Sequence, residues 1–162
     1  MSIPIRKIMV YIDETEQSIT AAQYAICLAS SCGAELLAQY VVNTRAVEEL
    51  LKARIFLQDE RLEYERDMEA DAYRYLDYVG DLAARKGVSI IKKHSKGSVH
   101  KEIVDAVREN NVDLLVIGEL SHIGSRRDEF YNESEQAMRG VSCSVLIVKD
   151  QQKVSQMYES LE

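Results

Sequence analysis

Residues 7–16 read Lys7-Ile8-Met9-Val10-Tyr11-Ile12-Asp13-Glu14-Thr15-Glu16. Lys7 to Ile12 is a short, β-rich apolar run that stops at an acid, the pattern of a buried strand. The acids that follow suit the positive start of a helix, and Thr15 or Ser18 can cap its free amides. Ile19, Ala22, Ile26 and Ala29 then recur at helical spacing, and Gly33 is placed to stop the helix. One strand feeding directly into one amphipathic helix is the unit of a parallel α/β sheet.

The same unit recurs along the chain. Glu35 to Val42 predicts a second strand, closed by Asn43-Thr44. A short helix is expected over Val47 to Phe56. A long one follows from Asp59 to Lys86, with Leu62, Met68, Ala72, Tyr75, Leu76, Val79 and Leu82 as its apolar stripe. Its other face is dense in charge and reads as solvated. Gly80 weakens this helix and Gly87 ends it. Val88 to Lys92 predicts a third, weaker strand. Gly97-Ser98 opens a helix capped by Ser98 and buried through Ile103, Ala106 and Val107. Leu114 to Ile117 predicts the fourth strand, followed by a loop from Gly118 to Tyr131. Asn132-Glu133-Ser134-Glu135 has the form of a capping box and predicts a helix to about Arg139, stopped by Gly140. Ser144 to Val148 is the last strand.

This order predicts an α/β fold: a single-domain, five-stranded, mostly parallel doubly wound sheet with helices on both faces. Residues 1–150 form the expected domain and 151–162 a polar C-terminal tail. In the tail, Val154, Met157, Tyr158 and Leu161 make a short amphipathic stripe, which would either pack on a partner subunit or fray.

Composition narrows the function. The chain has 162 residues and a formal net charge of −7. An acidic surface argues against nucleic acid and against anionic membranes. No apolar run approaches bilayer length, and the start lacks the pattern of a secretory signal, so a cytoplasmic protein is expected. Cys27, Cys32 and Cys143 read as reduced thiols. His94, His100 and His122 lack metal-ligand spacing, so no metal site is predicted. No nucleophile–base arrangement stands at a motif-like spacing, so no catalytic residue is assigned. Tyr64, Tyr73, Tyr75 and Tyr78 on the long helix read as core and rim packing, with an interaction surface as the other reading.

Three stretches together carry a family likeness over about residues 5–149. They are Ile8 to Thr15, Gly97 followed by Glu102-Ile103-Val104, and Leu114 to Gly118 with Cys143 to Val148. In order and spacing they resemble the universal stress protein family. The resemblance implies an adenine-nucleotide α-hydrolase-like, Rossmann-like fold. It also implies a homodimer joined through the last strand, Val145, Leu146, Ile147 and Val148.

Nucleotide-binding members carry a loop of Gly, two residues, Gly, nine residues, Gly, then Ser or Thr. The glycines let backbone amides reach phosphate oxygens, and the helix start that follows favours negative charge. Laid on this chain, Gly118 matches, while Ser121, Tyr131 and Asn132 stand at the other three positions. At Tyr131 a phenol ring would fill the space the phosphates need and would lose the φ > 0 freedom of Gly. Glu119, Asp128, Glu129, Glu133 and Glu135 outnumber Arg126 and Arg127. The resemblance therefore implies a member without ATP or another cofactor, not an enzyme, acting in stress response through protein contacts with an unknown partner. The alternative is an adenine-nucleotide sensor with a variant phosphate loop. It would use Asp13, Val42, Gly118, Ser121, Gly124, Arg126, Arg127 and Asn132. Asp13 matches the acid that contacts adenosine in binding members, but a short acid at this turn also caps a helix. An enzyme of the wider fold group would need a Ser/Gly-rich first turn, and this one is acidic.

Overall fold

The computed structural model describes residues 4–53, 58–120 and 129–162. The strands are β1 (Lys7–Ile12), β2 (Glu35–Asn43), β3 (Ile90–Gly97), β4 (Leu114–Gly118) and β5 (Ser144–Val148). The helices are α1 (Glu16–Cys32), α2 (Thr44–Lys52), α3 (Gln58–Ala84), α4 (Val99–Glu109), α5 (Glu129–Gly140) and α6 (Gln151–Ser160). The five strands run in the order β3-β2-β1-β4-β5, all pairings parallel. The expected parallel α/β sheet is therefore the observed one.

Period-two alternation splits the core into two layers. Ile8, Val10, Ile12, Leu36, Ala38, Tyr40, Val42 and Val116 face α1, α3 and α6. Met9, Leu37, Val41, Leu115 and Ile117 face α4 and α5. Strands buried on both sides need apolar residues at every position, and that explains the unbroken runs in β1, β2 and β4.

Helix α1 starts and stops where the side chains demand. The Thr15 hydroxyl accepts a hydrogen bond from the Ser18 amide (3.2 Å), and Gly33 closes the helix at φ 66°. That left-handed closure suits a residue without Cβ.

Four elements depart from the sequence expectation. Helix α2 begins at Thr44, directly after β2, rather than at Val47, and the expected end at Phe56 lies outside the described residues. β3 begins at Ile90 and extends to Gly97, because it pairs along β2 from Leu36↔Ile90 to Asn43↔Gly97. Val88 belongs to the turn closing α3, its amide donating to Ala83 O at 3.0 Å. Leu62, placed on the α3 apolar stripe, is 61 % exposed, so the buried stripe begins further along the helix. Helix α5 begins at Glu129, so Asn132 is not a cap but lies inside the helix, which itself includes Gly140. No glycine or proline stands between Glu129 and Asn132 to delay the start.

The stretch after β5 is a helix docked on its own chain rather than a frayed tail. Asp150, at φ 62°, caps α6 by accepting from the Lys153 amide. Val154 and Tyr158 are buried in the layer formed with α1 and α3. The Tyr158 hydroxyl donates to Leu82 O at 2.6 Å, serving one of the carbonyls that α3 leaves open at its C-terminus. Lys86 donates to Leu161 O at 2.8 Å and stands 4.9 Å from the Tyr158 ring centre. Burial pushes the Tyr158 phenol up.

Tyr158→Phe should cost about 1–2 kcal/mol, since it leaves the Leu82 carbonyl buried without its donor. Urea unfolding checks the loss. Asp113 supplies a second test. Its Oδ2 accepts from the Arg6 and Lys7 amides at 2.8 and 3.0 Å, and these two bonds hold its carboxyl below the usual range. A lowered folded-state pKa contributes stability above the unfolded value near 4 that is lost as pH falls through the folded one. Asp113→Asn should therefore flatten the acid limb of a thermal-stability profile and leave its neutral-to-alkaline shape unchanged.

Candidate functional site

The strand order reverses direction at β1, whose neighbours are β2 on one side and β4 on the other. Crevices for ligands open at such a switch, beyond the strand C-termini. Here the C-terminal ends present Asp13 after β1 and Gly118 at the end of β4.

Asp13 is tied into the α1 start. Its Oδ1 accepts from the Thr15 amide at 2.8 Å and, in a very short bond, from the Thr15 hydroxyl. Its amide donates to Ser18 Oγ at 3.1 Å, and Ser18 Oγ donates back to the Asp13 and Thr15 carbonyls at 3.0 Å each. Asp13 thus orients Thr15, and Thr15 caps the helix. Asp13 as a whole is half-buried, at the C-terminal end of β1.

Gly118 has a steric reason of its own. A Cβ built there would fall 2.5 Å from the Gln17 carbonyl oxygen and 2.6 Å from its carbon. The first turn of α1 crosses the end of β4 too closely for any side chain. This residue was legible as a family position; its backbone neighbour Gln17 was not, because no sequence signal marks a helix turn that crosses a strand.

Val42 is fully buried, its side chain packed with the α1–α3 layer. Any part it takes at the crevice is through its backbone. Tyr40, two residues earlier on the same face, is 4 % exposed. Burial is the main cause raising its phenol pKa, and Glu14, Asp71 and Asp13 add to it. Glu14, Glu16 and Glu119 are exposed around the same rim. Among the described residues, the charged groups next to the ends of β1 and β4 are therefore acidic.

Ser121, Gly124, Arg126 and Arg127 lie outside the described residues, as does His122. Tyr131 and Asn132 fall in the first turn of α5, with their side chains outside the description. Among the described residues no group of three His, Cys, Asp or Glu could hold a metal. Also among them, no helix is long and apolar enough to cross a membrane.

β5 is an edge strand, pairing only with β4 among the described residues. Val145 and Leu146 are half-buried, Ile147 is 36 % exposed and Val148 is buried. On the opposite edge, β3 is fastened to α3. Lys92 meets Asp77 at 2.9 Å, Lys96 meets Glu69 at 3.3 Å, and the His94 ring stands edge-on to Tyr73 at 4.9 Å. Tyr75 stacks with Tyr40 at 6.3 Å, whereas Tyr64, Tyr73 and Tyr78 remain exposed.

The model of the universal stress protein family matches residues 4–149. The chain belongs to the universal stress protein family. Among curated relatives, universal stress protein MJ0531 of Methanocaldococcus jannaschii is 29 % identical over 148 residues, which is 91 % of this chain and 84 % of that protein. Universal stress protein YxiE of Bacillus subtilis is 26 % identical over 145 residues, 88 % of this chain and 98 % of that one. Among solved structures, hypothetical protein MJ0577 aligns with TM-score 0.73 at 18 % identity, covering 91 % of this chain and 98 % of its own. A universal stress family protein from Arabidopsis thaliana with AMP bound aligns with TM-score 0.65 at 16 % identity, covering 91 % and 94 %. At these identities the structural likeness speaks for the fold. The family match ends at residue 149, so α6 lies wholly beyond it.

Gly118→Ala should destabilise this family member by about 2 kcal/mol or more, because the intruding methyl meets backbone rather than a movable side chain. The loss should appear in thermal unfolding with no nucleotide present. Unchanged stability would return Gly118 to a purely ligand-binding role.

Proposed function

We propose that this protein is a non-enzymatic universal stress protein, a cytoplasmic homodimer that acts through protein contacts and does not take ATP as a ligand. The observation that carries this reading is the pair Tyr131-Asn132. It occupies the first turn of α5, where nucleotide-binding members resembling this chain have Gly followed by Ser or Thr. Glycine there lets amides close on phosphate, and a residue with a side chain does not offer that approach. The acidic rim of Asp13, Glu14, Glu16 and Glu119 works in the same direction, since like charges oppose a triphosphate. The open edge of β5 supports pairing with a second copy across a two-fold axis.

A second reading is an adenine-nucleotide sensor. It is favoured by the AMP in the Arabidopsis thaliana protein, by the cAMP in another universal stress protein of TM-score 0.63 and 22 % identity, and by the retained Asp13. In that reading Gly124, Arg126 and Arg127 replace the missing glycines as phosphate ligands.

Calorimetric titration of ATP with and without Mg²⁺, on protein first assayed for carried-over nucleotide by denaturation, decides between them. No heat at millimolar ATP and no released nucleotide is the expected result. Micromolar binding, abolished by Asp13→Ala in a folded protein, would establish the sensor instead. Sedimentation tests the dimer. Ile147→Lys should shift the mass to that of a monomer at micromolar concentration while leaving the far-ultraviolet dichroism unchanged.

A further inference from the structure

The cations of this acidic chain are unevenly spread. Between Lys86 and Lys101 stand Lys86, Lys92, Lys93, Lys96 and Lys101 with His94 and His100, and no acid. The end of that stretch folds into one wall of a cavity of about 540 Å³, with α2 as the other wall. This volume is in the range that small-ligand sites occupy. It lies at the C-terminal ends of β2 and β3, and neither Asp13 nor Gly118 lines it.

Its lining has two kinds of group. Arg45, Lys52, Lys96 and Lys101 converge from α2, β3 and α4. Arg45 is held by Glu49 at 3.7 Å and Lys96 by Glu69 at 3.3 Å. Lys52 and Lys101 make no ion pair among the described residues, and both are exposed. Facing them are the carboxylates of Glu48 and Glu102. Glu102 is folded over Gly97, where a Cβ would meet its Cγ at 3.2 Å; Gly97 itself is at φ 145°, a conformation L side chains rarely adopt. The backbone is thus bare where β3 turns into α4.

A bare anion would meet the glutamates, and a bare cation would meet the lysines. A molecule with an anionic end and a hydroxylated body satisfies both. We propose that this cavity binds a small phosphorylated polyol, the sugar-phosphate class, with its phosphate on Lys52 and Lys101 and its hydroxyls donating to Glu48 and Glu102. Lysine binds phosphate as a point charge, and carboxylates are strong acceptors for hydroxyl protons. Asp13, Val42 and Gly118 do not line this cavity, and the proposal does not depend on either reading of the nucleotide crevice.

The test is a titration of ¹⁵N-labelled protein with ribose 5-phosphate, with ribose and inorganic phosphate run separately as its two halves. The expected result is saturable shifts of the Thr44, Gly97 and Ser98 amides with ribose 5-phosphate, at least about tenfold tighter than with either half, as two cooperating sets of contacts require. Lys52→Gln with Lys101→Gln, both at exposed positions, should weaken binding about tenfold or more through loss of the charge-assisted contacts. Lys153→Gln, on α6 away from this cavity, should leave it unchanged. No saturable shift at about 10 mM, inorganic phosphate binding as tightly as the ester, or a double variant that binds normally would each overturn the proposal. Shifts centred on Asp13 and Gly118 would overturn it too, and would assign the ligand to the crevice.

Discussion

The close crossing of α1 over the end of β4 is the constraint around which the molecule is arranged. Gln17 lies against Gly118 at a distance that excludes a Cβ. That contact sets how deep α1 sits on the sheet, and the depth decides how Asp13, Thr15 and Ser18 close the turn that feeds it. Ser18 is buried and bonded to both Asp13 and Thr15. The crevice at the switch point is therefore walled by a turn that is already fully engaged in holding the fold. Asp13 holds Thr15, the cap of α1, so its carboxylate has a structural task whether or not anything fills the crevice.

Much of this was legible in the sequence, and the exceptions share a cause. β1, β2, β4 and β5 are short apolar runs because they bury at least one face, and they were found within a residue or so. β3 was misplaced because Lys92, Lys93, His94 and Lys96 break any apolar run. Its length is dictated by its partner β2, and no local pattern reports a partner. Edge strands carry charge to discourage pairing with other chains, so the residues that hid β3 are those that suit an edge. Leu62 misled in the opposite sense: its spacing fitted the stripe, but it is exposed, and the buried part of α3 begins further along the helix. The start of α5 was placed at the strongest capping pattern. Nothing upstream of that pattern breaks a helix, and the helix starts earlier. For the candidate site the sequence located Asp13 and Gly118 but not Gln17 or Tyr40, whose places there arise from chain crossings.

Helix α6 shows how an extension beyond a family's shared domain becomes part of the core. The stripe of Val154, Tyr158 and Leu161 was visible, but an amphipathic stripe does not say what it packs against. The answer lies in α3. That helix ends with an open carbonyl at Leu82 and a lysine at Lys86, and α6 supplies a donor to the first and acceptors to the second. Each helix thereby completes the other's terminus, so α6 adds specificity as well as apolar area. One consequence concerns Cys27, which is 8 % exposed beside α6 with burial raising its thiol pKa. A thiol so placed is a packing group, and its reactivity would report on the docking of α6 rather than on chemistry of its own.

The distribution of charge ties the two ends of the sheet to different chemistry. Around β1 and β4 the described acids Glu14, Glu16 and Glu119 are exposed, and the Tyr40 phenol pKa is raised by burial first, with Glu14, Asp71 and Asp13 adding to it. Around β3 the chain is locally basic, although its net charge is −7. The parallel sheet brings both regions to the same C-terminal side, one over the switch point and one over the edge. A phosphate approaching that side meets repulsion at the first and unpaired lysines at the second. Likeness to solved structures at these identities shows the fold and does not supply the electrostatics of the strand ends. Those are set by side chains that the fold leaves free to vary, and among the described residues the lysines stand at the β3 end of the sheet.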